Sequence, residues 1–134
     1  MTKDELFSLA IESRNNAYAP YSNFLVGCAL TTNTGDVFSG CNFENLSFGA
    51  TICAERNAIG AAINAGASQK NKTFINEIVV VSQTEKPAPP CGMCLQVLSE
   101  FSSNETKIHL ANLSGIQGSY TLKDFLPRQF ETIK

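Results

Sequence analysis

Apolar and polar positions divide the chain into alternating helical and strand patterns. Thr2 and Glu5 have the spacing of a capping box, and Leu6, Leu9, Ala10, Ser13 and Ala17 fall on one helical face with Phe7 and Ile11 beside it. The pattern predicts a helix that stops before Ala19-Pro20, because the residue preceding a proline avoids helical geometry. Phe24 to Thr32 is uncharged and nearly all apolar, which predicts a strand covered on both faces. Asn33-Thr34-Gly35-Asp36 is a turn signal, and Val37 to Phe43 follows as a second strand, antiparallel to the first because the connection is short. Alternation sets Phe38, Gly40 and Asn42 on one side, with Glu44 next in the series. Asn42 and Glu44 therefore project together, either from a surface turn or as a pair that grips a polar ligand.

Leu46 to Ile52 reads as a connecting loop. A helix is predicted from Cys53 to about Asn64, closed by Gly66. Ala54, Ala58, Ala61, Ala62 and Ala65 make one side of it small, which suits close packing. The β-branched run Ile78-Val79-Val80-Val81 predicts a central strand, joined to its neighbour by the preceding helix as a crossover. Pro87, Pro89 and Pro90 force an irregular loop. Cys91 to Phe101 is a third helix with Leu95, Leu98 and Phe101 inward, and Lys107 to Ala111 is a fourth strand. Leu113-Ser114-Gly115 is too short to hold a crossover helix, so Gln117 to Thr121 should be an antiparallel partner. Leu122 to Phe130 reads as a short helix followed by an extended end. No repeat or low-complexity segment interrupts the pattern.

At 134 residues the chain is expected to form one domain, residues 1–134, and its 43% hydrophobic content suits a packed core. No run approaches a membrane span, and the N-terminus lacks the layout of a secretion signal, so a cytoplasmic location is expected. The net charge of −2 leaves no basic stripe for a polynucleotide backbone, which favours a small substrate over DNA or RNA. The five cysteines are odd in number, and that weighs against a disulfide framework. Cys28 and Cys41 lie within apolar strand patterns and read as packing residues. The sole histidine, His109, alternates with Ile108 and Leu110 and reads as a sheet-face residue.

The remaining thiols carry the chemistry. Cys53-Ala54-Glu55-Arg56 and Pro90-Cys91-Gly92-Met93-Cys94 offer three soft ligands suited to Zn²⁺. Three protein ligands leave the fourth position open, as in catalytic rather than structural zinc sites, and water held there is acidified. Cys53 and Cys91 open predicted helices, where exposed N–H groups favour thiolates, and Cys91 and Cys94 share one face of a turn. Glu55 lies close enough to move a proton without binding the metal. Three thiolates overcompensate the charge of Zn²⁺, and Arg56 is the natural remedy, because a guanidinium can donate to thiolate sulfur.

Cys-Ala-Glu followed by Pro-Cys-x-x-Cys resembles the zinc-dependent cytidine deaminases of the small, three-cysteine type. The resemblance runs along nearly the whole chain, through Ala17-Tyr18-Ala19-Pro20-Tyr21-Ser22, Gly27, Gly40-Cys41-Asn42-Phe43-Glu44-Asn45 and Phe125-Leu126-Pro127. It implies an α/β fold, a three-layer α/β/α sandwich with a five-stranded mixed sheet in the order 2-1-3-4-5. The hairpin at the end separates the chain from deaminase relatives that place a helix there and act on polynucleotides. The resemblance implies one zinc per subunit, hydrolytic deamination of cytidine and deoxycytidine in pyrimidine salvage, and Glu55 as the proton shuttle between water, the base N3 and ammonia. It also implies that Phe24 packs on the nucleoside, that Asn42 and Glu44 bind the ribose 3′-hydroxyl, and that the backbone of Ala54 and Cys91 holds the base. A homotetramer is implied, with sites completed across subunits by Phe130, Phe125 being its rival. Leu46 stands where relatives often carry alanine. Phe48 stands where they often carry tyrosine, so a hydrogen bond from the neighbouring subunit is lost.

Two rival readings compete with this one. A thiol–disulfide oxidoreductase would use Cys91 and Cys94 alone, leaving Cys53-Ala54-Glu55-Arg56 without a role. A structural zinc module would need Cys28 or Cys41 as a fourth ligand.

Overall fold

A computed structural model describes residues 1–133. Its centre is a five-stranded mixed sheet in the order β2-β1-β3-β4-β5, formed by β1 (Gly27–Thr32), β2 (Val37–Cys41), β3 (Ile75–Val81), β4 (Ser102–Asn112) and β5 (Gly115–Tyr120). Only β3 and β4 pair in parallel; the other neighbours are antiparallel. Among the described residues no helix is long and apolar enough to cross a membrane.

Alternation along the strands sorts side chains into two cores. Ile78 and Val80 of β3, with Cys28, Leu30, Ile108 and Leu110, face α2 (Ala54–Asn64) and α4 (Gly92–Phe101). Val79 and Val81, with Ala29 and Ala111, face Leu6 and Ala10 of α1 (Lys3–Arg14). Strand β1 is buried throughout, in keeping with its uncharged and mostly apolar sequence, the two closing threonines included. The helix α3 (Ala67–Lys70) and one turn of 3₁₀ helix at Phe48–Ala50 had no signal in the pattern.

The Thr2–Glu5 capping box forms, but α1 ends at Arg14 rather than beside Pro20. Its last turn tightens through bonds from Asn16 to Ser13 and from Ala17 to Arg14. The chain then turns extended because Tyr18 pairs with the 42–44 segment: its N–H donates to Asn42 and its carbonyl accepts from Glu44. Tertiary pairing, not proline, stops this helix.

Other boundaries move too, with β3 starting at Ile75 rather than Ile78 and β5 spanning Gly115–Tyr120 rather than Gln117 to Thr121. The first strand begins at Gly27, because the backbone of 24–26 is bonded largely by side chains. The second strand ends at Cys41, and Phe43 keeps only isolated bridges to Tyr18 and Ile52. The fourth strand begins at Ser102, immediately after α4. Ile75 pairs with Ser102 but Glu77 with Lys107, so residues 103–106 bulge out. Thr106 seals the bulge by donating to the Ile75 carbonyl at 2.6 Å and accepting from Ser103 N–H at 3.0 Å. The crossover also differs: α2 links β2 to β3, and β1 lies between them rather than the two being neighbours.

His109 is buried on the α1 face of the sheet. One ring nitrogen, Nε2, lies 2.7 Å from the Glu77 carboxylate and Nδ1 lies 2.7 Å from Ser119 Oγ, tying β3, β4 and β5 together. The loop signals at the helix ends hold, with Gly66 left-handed at φ 93°. Leu122–Phe125 forms the short α5; residues 126–133 follow as irregular chain with a bend at 127–128.

Close approach of β2 to α2 fixes the height of the latter over the sheet. Ala54, Ala58 and Ala62 are buried against the sheet, whereas Ala61 and Ala65 are exposed. A Cβ on Gly40 would lie 2.6 Å from Ala58 N and 2.8 Å from Ala54 O, both backbone atoms that cannot rotate away. Gly40→Ala is expected to cost about 1–3 kcal/mol of stability and to weaken zinc retention, since α2 carries Cys53 and Glu55. Urea unfolding and metal content after dialysis measure both; an unchanged variant would show that α2 does not rest on this contact.

Candidate active site

Strand directions decide where the site lies. Because β1 runs antiparallel to β2 and β3, its N-terminal approach sits beside their C-terminal ends. The N-termini of α2 and α4 open at the same end. Cys53 is the N-cap of α2 and Cys91 the N-cap of α4, both with extended backbone, and Cys94 is buried in the first turn of α4. Their three sulfurs lie within 4.8 Å of one another, with Cys53 Sγ 3.7 Å from Cys91 Sγ. Cys28, fully buried, and Cys41, half-buried on β2, lie outside this group.

Two helix N-termini aim partial positive charge at the thiols. The Cys53 thiol is drawn down to about 5, first by a hydrogen bond from Cys94 and, against the opposing effect of burial, also by Arg56. Arg56 Nη2 donates to Cys53 Sγ at 3.6 Å. Cys94 is pushed upward by donating to Cys53 and by burial, so of these two thiols it is Cys53 that carries the negative charge without a metal. Such a set of soft, closely spaced ligands, with Cys53 half-buried and Cys91 exposed beside the cavity, fits one Zn²⁺.

That cavity, of about 240 Å³, is bounded by Cys53, Ala54, Glu55 and Cys91 on the helix side. Phe24, Asn42 and Glu44 line it from the strands. Glu55 is only 4% exposed, and burial raises its carboxyl to about 7, with the Cys53 charge adding and its own backbone N–H and Arg56 opposing. Glu44 behaves oppositely. Its carboxylate accepts from Ser22 Oγ and from the N–H groups of Tyr21 (2.9 Å) and Ser22 (3.2 Å), and these bonds, Ser22 Oγ foremost, hold its pKa below the usual value. Asn42 spends its amide on the backbone: Oδ1 accepts from Val26 N–H and Nδ2 donates to the Phe24 carbonyl, each at 2.8 Å.

The residues flagged in the sequence thus converge, with two exceptions. Phe48, 70% exposed, lies at the mouth, where Tyr21, Ser22, Glu44 and Thr51 share its open lobe. Phe130 is 64% exposed and lines no part of the cavity, while Phe125 packs into the core against the Tyr120 ring at 5.0 Å. Sequence reasoning missed Ser22, Val26 and Thr51, and on the β3 side Val80, Ser82, Ala88 and Pro89, which complete the cavity walls. The signal available for Val80 and Ser82 was their place at the carboxyl end of a central strand, where α/β sheets bind ligands.

Residues 1–110 match the family described as "Cytidine and deoxycytidylate deaminase zinc-binding region". The chain belongs to this family. It is 42% identical over 130 residues to cytidine deaminase of Halalkalibacterium halodurans, covering 97% of this chain and 95% of that one. Cytidine deaminase of Sporosarcina psychrophila is 38% identical, with 97% and 92% covered. The crystal structure of cytidine deaminase from Burkholderia pseudomallei superposes with a TM-score of 0.90 at 43% identity, covering 97% of this chain and 100% of that one. The chain is a zinc-dependent deaminase, a hydrolase, and its sheet order is that of the family.

The raised Glu55 carboxyl has a consequence in the metal-free protein. The folded state keeps this proton to about pH 7, whereas the unfolded chain releases it near the ordinary carboxyl value of about 4.3. The associated stability is complete below the unfolded value and is lost as pH rises through the folded one. Relative to Glu55→Gln, the metal-free parent should lose on the order of 3 kcal/mol across that window. Urea midpoints of the two proteins at pH 4 to 8 measure it, and a constant difference would mean that the carboxyl is not buried neutral.

Proposed function

We propose that the chain, as one domain, catalyses hydrolytic deamination of cytidine and deoxycytidine to uridine and deoxyuridine with release of ammonia, a pyrimidine-salvage reaction. The observation that carries this reading is Glu55: a buried carboxyl poised at about 7, in a cavity bounded by Cys53 and Cys91. A group with that affinity takes up and gives back a proton at neutral pH.

Cys53, Cys91 and Cys94 hold the zinc, and Arg56 offsets their excess negative charge by donating to Cys53 Sγ. The bound ion supplies Lewis acidity, which makes water a usable nucleophile at neutral pH. Glu55 accepts one proton from the water that attacks C4 and delivers it to N3 of the ring; it then takes the second proton from the new C4 hydroxyl and passes it to the amino group, which leaves as ammonia as the C4–N bond breaks and C4=O forms. Its burial keeps bulk water from competing for these transfers. Phe24 lies against the nucleoside. Asn42 and Glu44 take the ribose 3′-hydroxyl with hydrogen-bonding capacity left over from the backbone bonds that orient them, and the backbone at Ala54 and Cys91 holds the base.

The exposure of Phe130 and Leu46 (81%), together with that of Phe48 at the mouth, supports assembly into a homotetramer whose neighbours complete each site. Phe130 rather than core-bound Phe125 is then the residue free to reach a neighbour. The lack of a fourth cysteine among the described residues of the cluster tells against a structural zinc module, and the approach of Cys53 tells against a two-thiol redox site.

Zinc-loaded protein should convert cytidine and deoxycytidine, monitored by loss of cytosine absorbance, and leave a short cytosine-containing DNA strand intact. Glu55→Gln should keep its zinc and lose turnover by at least about a thousandfold. Full activity with glutamine at 55 would sink the mechanism, and failure with both nucleosides would sink the substrate.

A further inference from the structure

One wall of the cavity is not held by the sheet. Phe24 and Val26 line the cavity, yet they precede β1 and lack a ladder on the β3 side. Every backbone polar group of 24–26 nonetheless has a partner. Phe24 N–H donates to Ser22 Oγ (3.0 Å), and Asn42 serves the Phe24 carbonyl and both polar groups of Val26, its own N–H reaching the Val26 carbonyl at 3.2 Å. All the Asn42 bonds come from the β2 side.

The β3 side is served differently. Register there ends with Gly27 opposite Val81, so the next rung of the same antiparallel ladder would set Leu25 opposite Gln83. That backbone rung is not present: β3 ends at Val81, and the Leu25 N–H and carbonyl are bonded by side chains. The Gln83 side chain fills the gap: its Oε1 accepts from Leu25 N–H at 3.5 Å. The same oxygen accepts from Arg14 Nη2 at 2.9 Å, while Arg14 Nε donates to the Leu25 carbonyl at 3.0 Å. Arg14 and Gln83 together bind both polar groups of Leu25, in place of the missing strand.

We infer that Gln83, locked by Arg14, is a positioning residue that stands in for a β3 rung and fixes the Phe24–Val26 wall against the bound nucleoside. It touches neither the zinc ligands nor the cavity. Its effect travels through Leu25 to the two flanking side chains that alternation points into the cavity. The inference rests on the proposed substrate for its kinetic consequence but not for the clamp itself.

Gln83 is exposed, so its replacement leaves the core intact. Gln83→Leu keeps the size and removes the acceptor; Gln83→Glu keeps an acceptor for both Arg14 and Leu25. In the zinc-loaded full chain, Gln83→Leu should raise the KM for cytidine about tenfold with kcat within about twofold, the signature of lost binding rather than lost chemistry. Gln83→Glu should stay within about twofold of the parent in both constants. Amide exchange at Leu25 should accelerate in the leucine variant and not in the glutamate variant. A parent-like KM and exchange rate in Gln83→Leu would overturn the inference, as would equal impairment of the two variants or a fall in kcat at constant KM. If the parent itself leaves cytidine unconverted, the proposed function fails, while the exchange comparison still decides the clamp.

Discussion

Two helix N-termini must meet at one point, and much of this molecule answers to that requirement. Cys53 and Cys91 are N-caps without side-chain capping bonds of their own, so the helix ends they begin are completed by charge rather than by a hydroxyl or amide. Bringing like-charged sulfurs within 4.8 Å of one another is unfavourable without a cation to share. Arg56 relieves part of that cost on one side and a divalent ion would relieve the rest. The small residues of α2, Gly40 beneath it and the direct passage from α4 into β4 all fix the height and angle at which these ends arrive.

The two acidic residues at the cavity show how environment divides one chemistry into two. Glu55 is enclosed by protein and keeps its proton near neutrality, while Glu44 is surrounded by donors and stays ionised. One is fit to exchange protons and the other to accept hydrogen bonds. Sequence distance gives no hint of this division; the difference lies in whether N–H and O–H groups or apolar walls surround each carboxyl.

Much of this was legible in the chain itself. The capping box at Thr2, the closing Gly66, the helix starts at Cys53 and Cys91 and the terminal hairpin are local signals, and they appear where local rules put them. The clustering of the three thiols was legible because few residue types bind zinc, and the place of Glu55 beside them followed from its position two residues after Cys53. What escaped depends on partners far along the chain. The first helix stops early because Tyr18 finds the 42–44 segment. The fourth strand starts early because Ser102 finds Ile75. Asn42 looked like a ligand-facing group, yet most of its amide is engaged by the backbone of Phe24 and Val26. Ser82 and Ala88 enter the cavity only because the proline-rich loop folds back across the strand ends.

The separation of the thiols sets an order in time as the chain is made. Cys53 and Cys91 are 38 positions apart, and β3 with its flanking helices lies between or beside them. A growing chain that has released only α2 offers one of the three thiols of the cluster, since Cys28 and Cys41 are directed elsewhere by the strands. The second and third ligands arrive together on one turn of α4, after the strand that separates the two helices has already emerged. Metal capture is therefore a late event in synthesis, and a chain truncated before residue 94 has no complete ligand set with which to draw zinc from competing thiols in the cell.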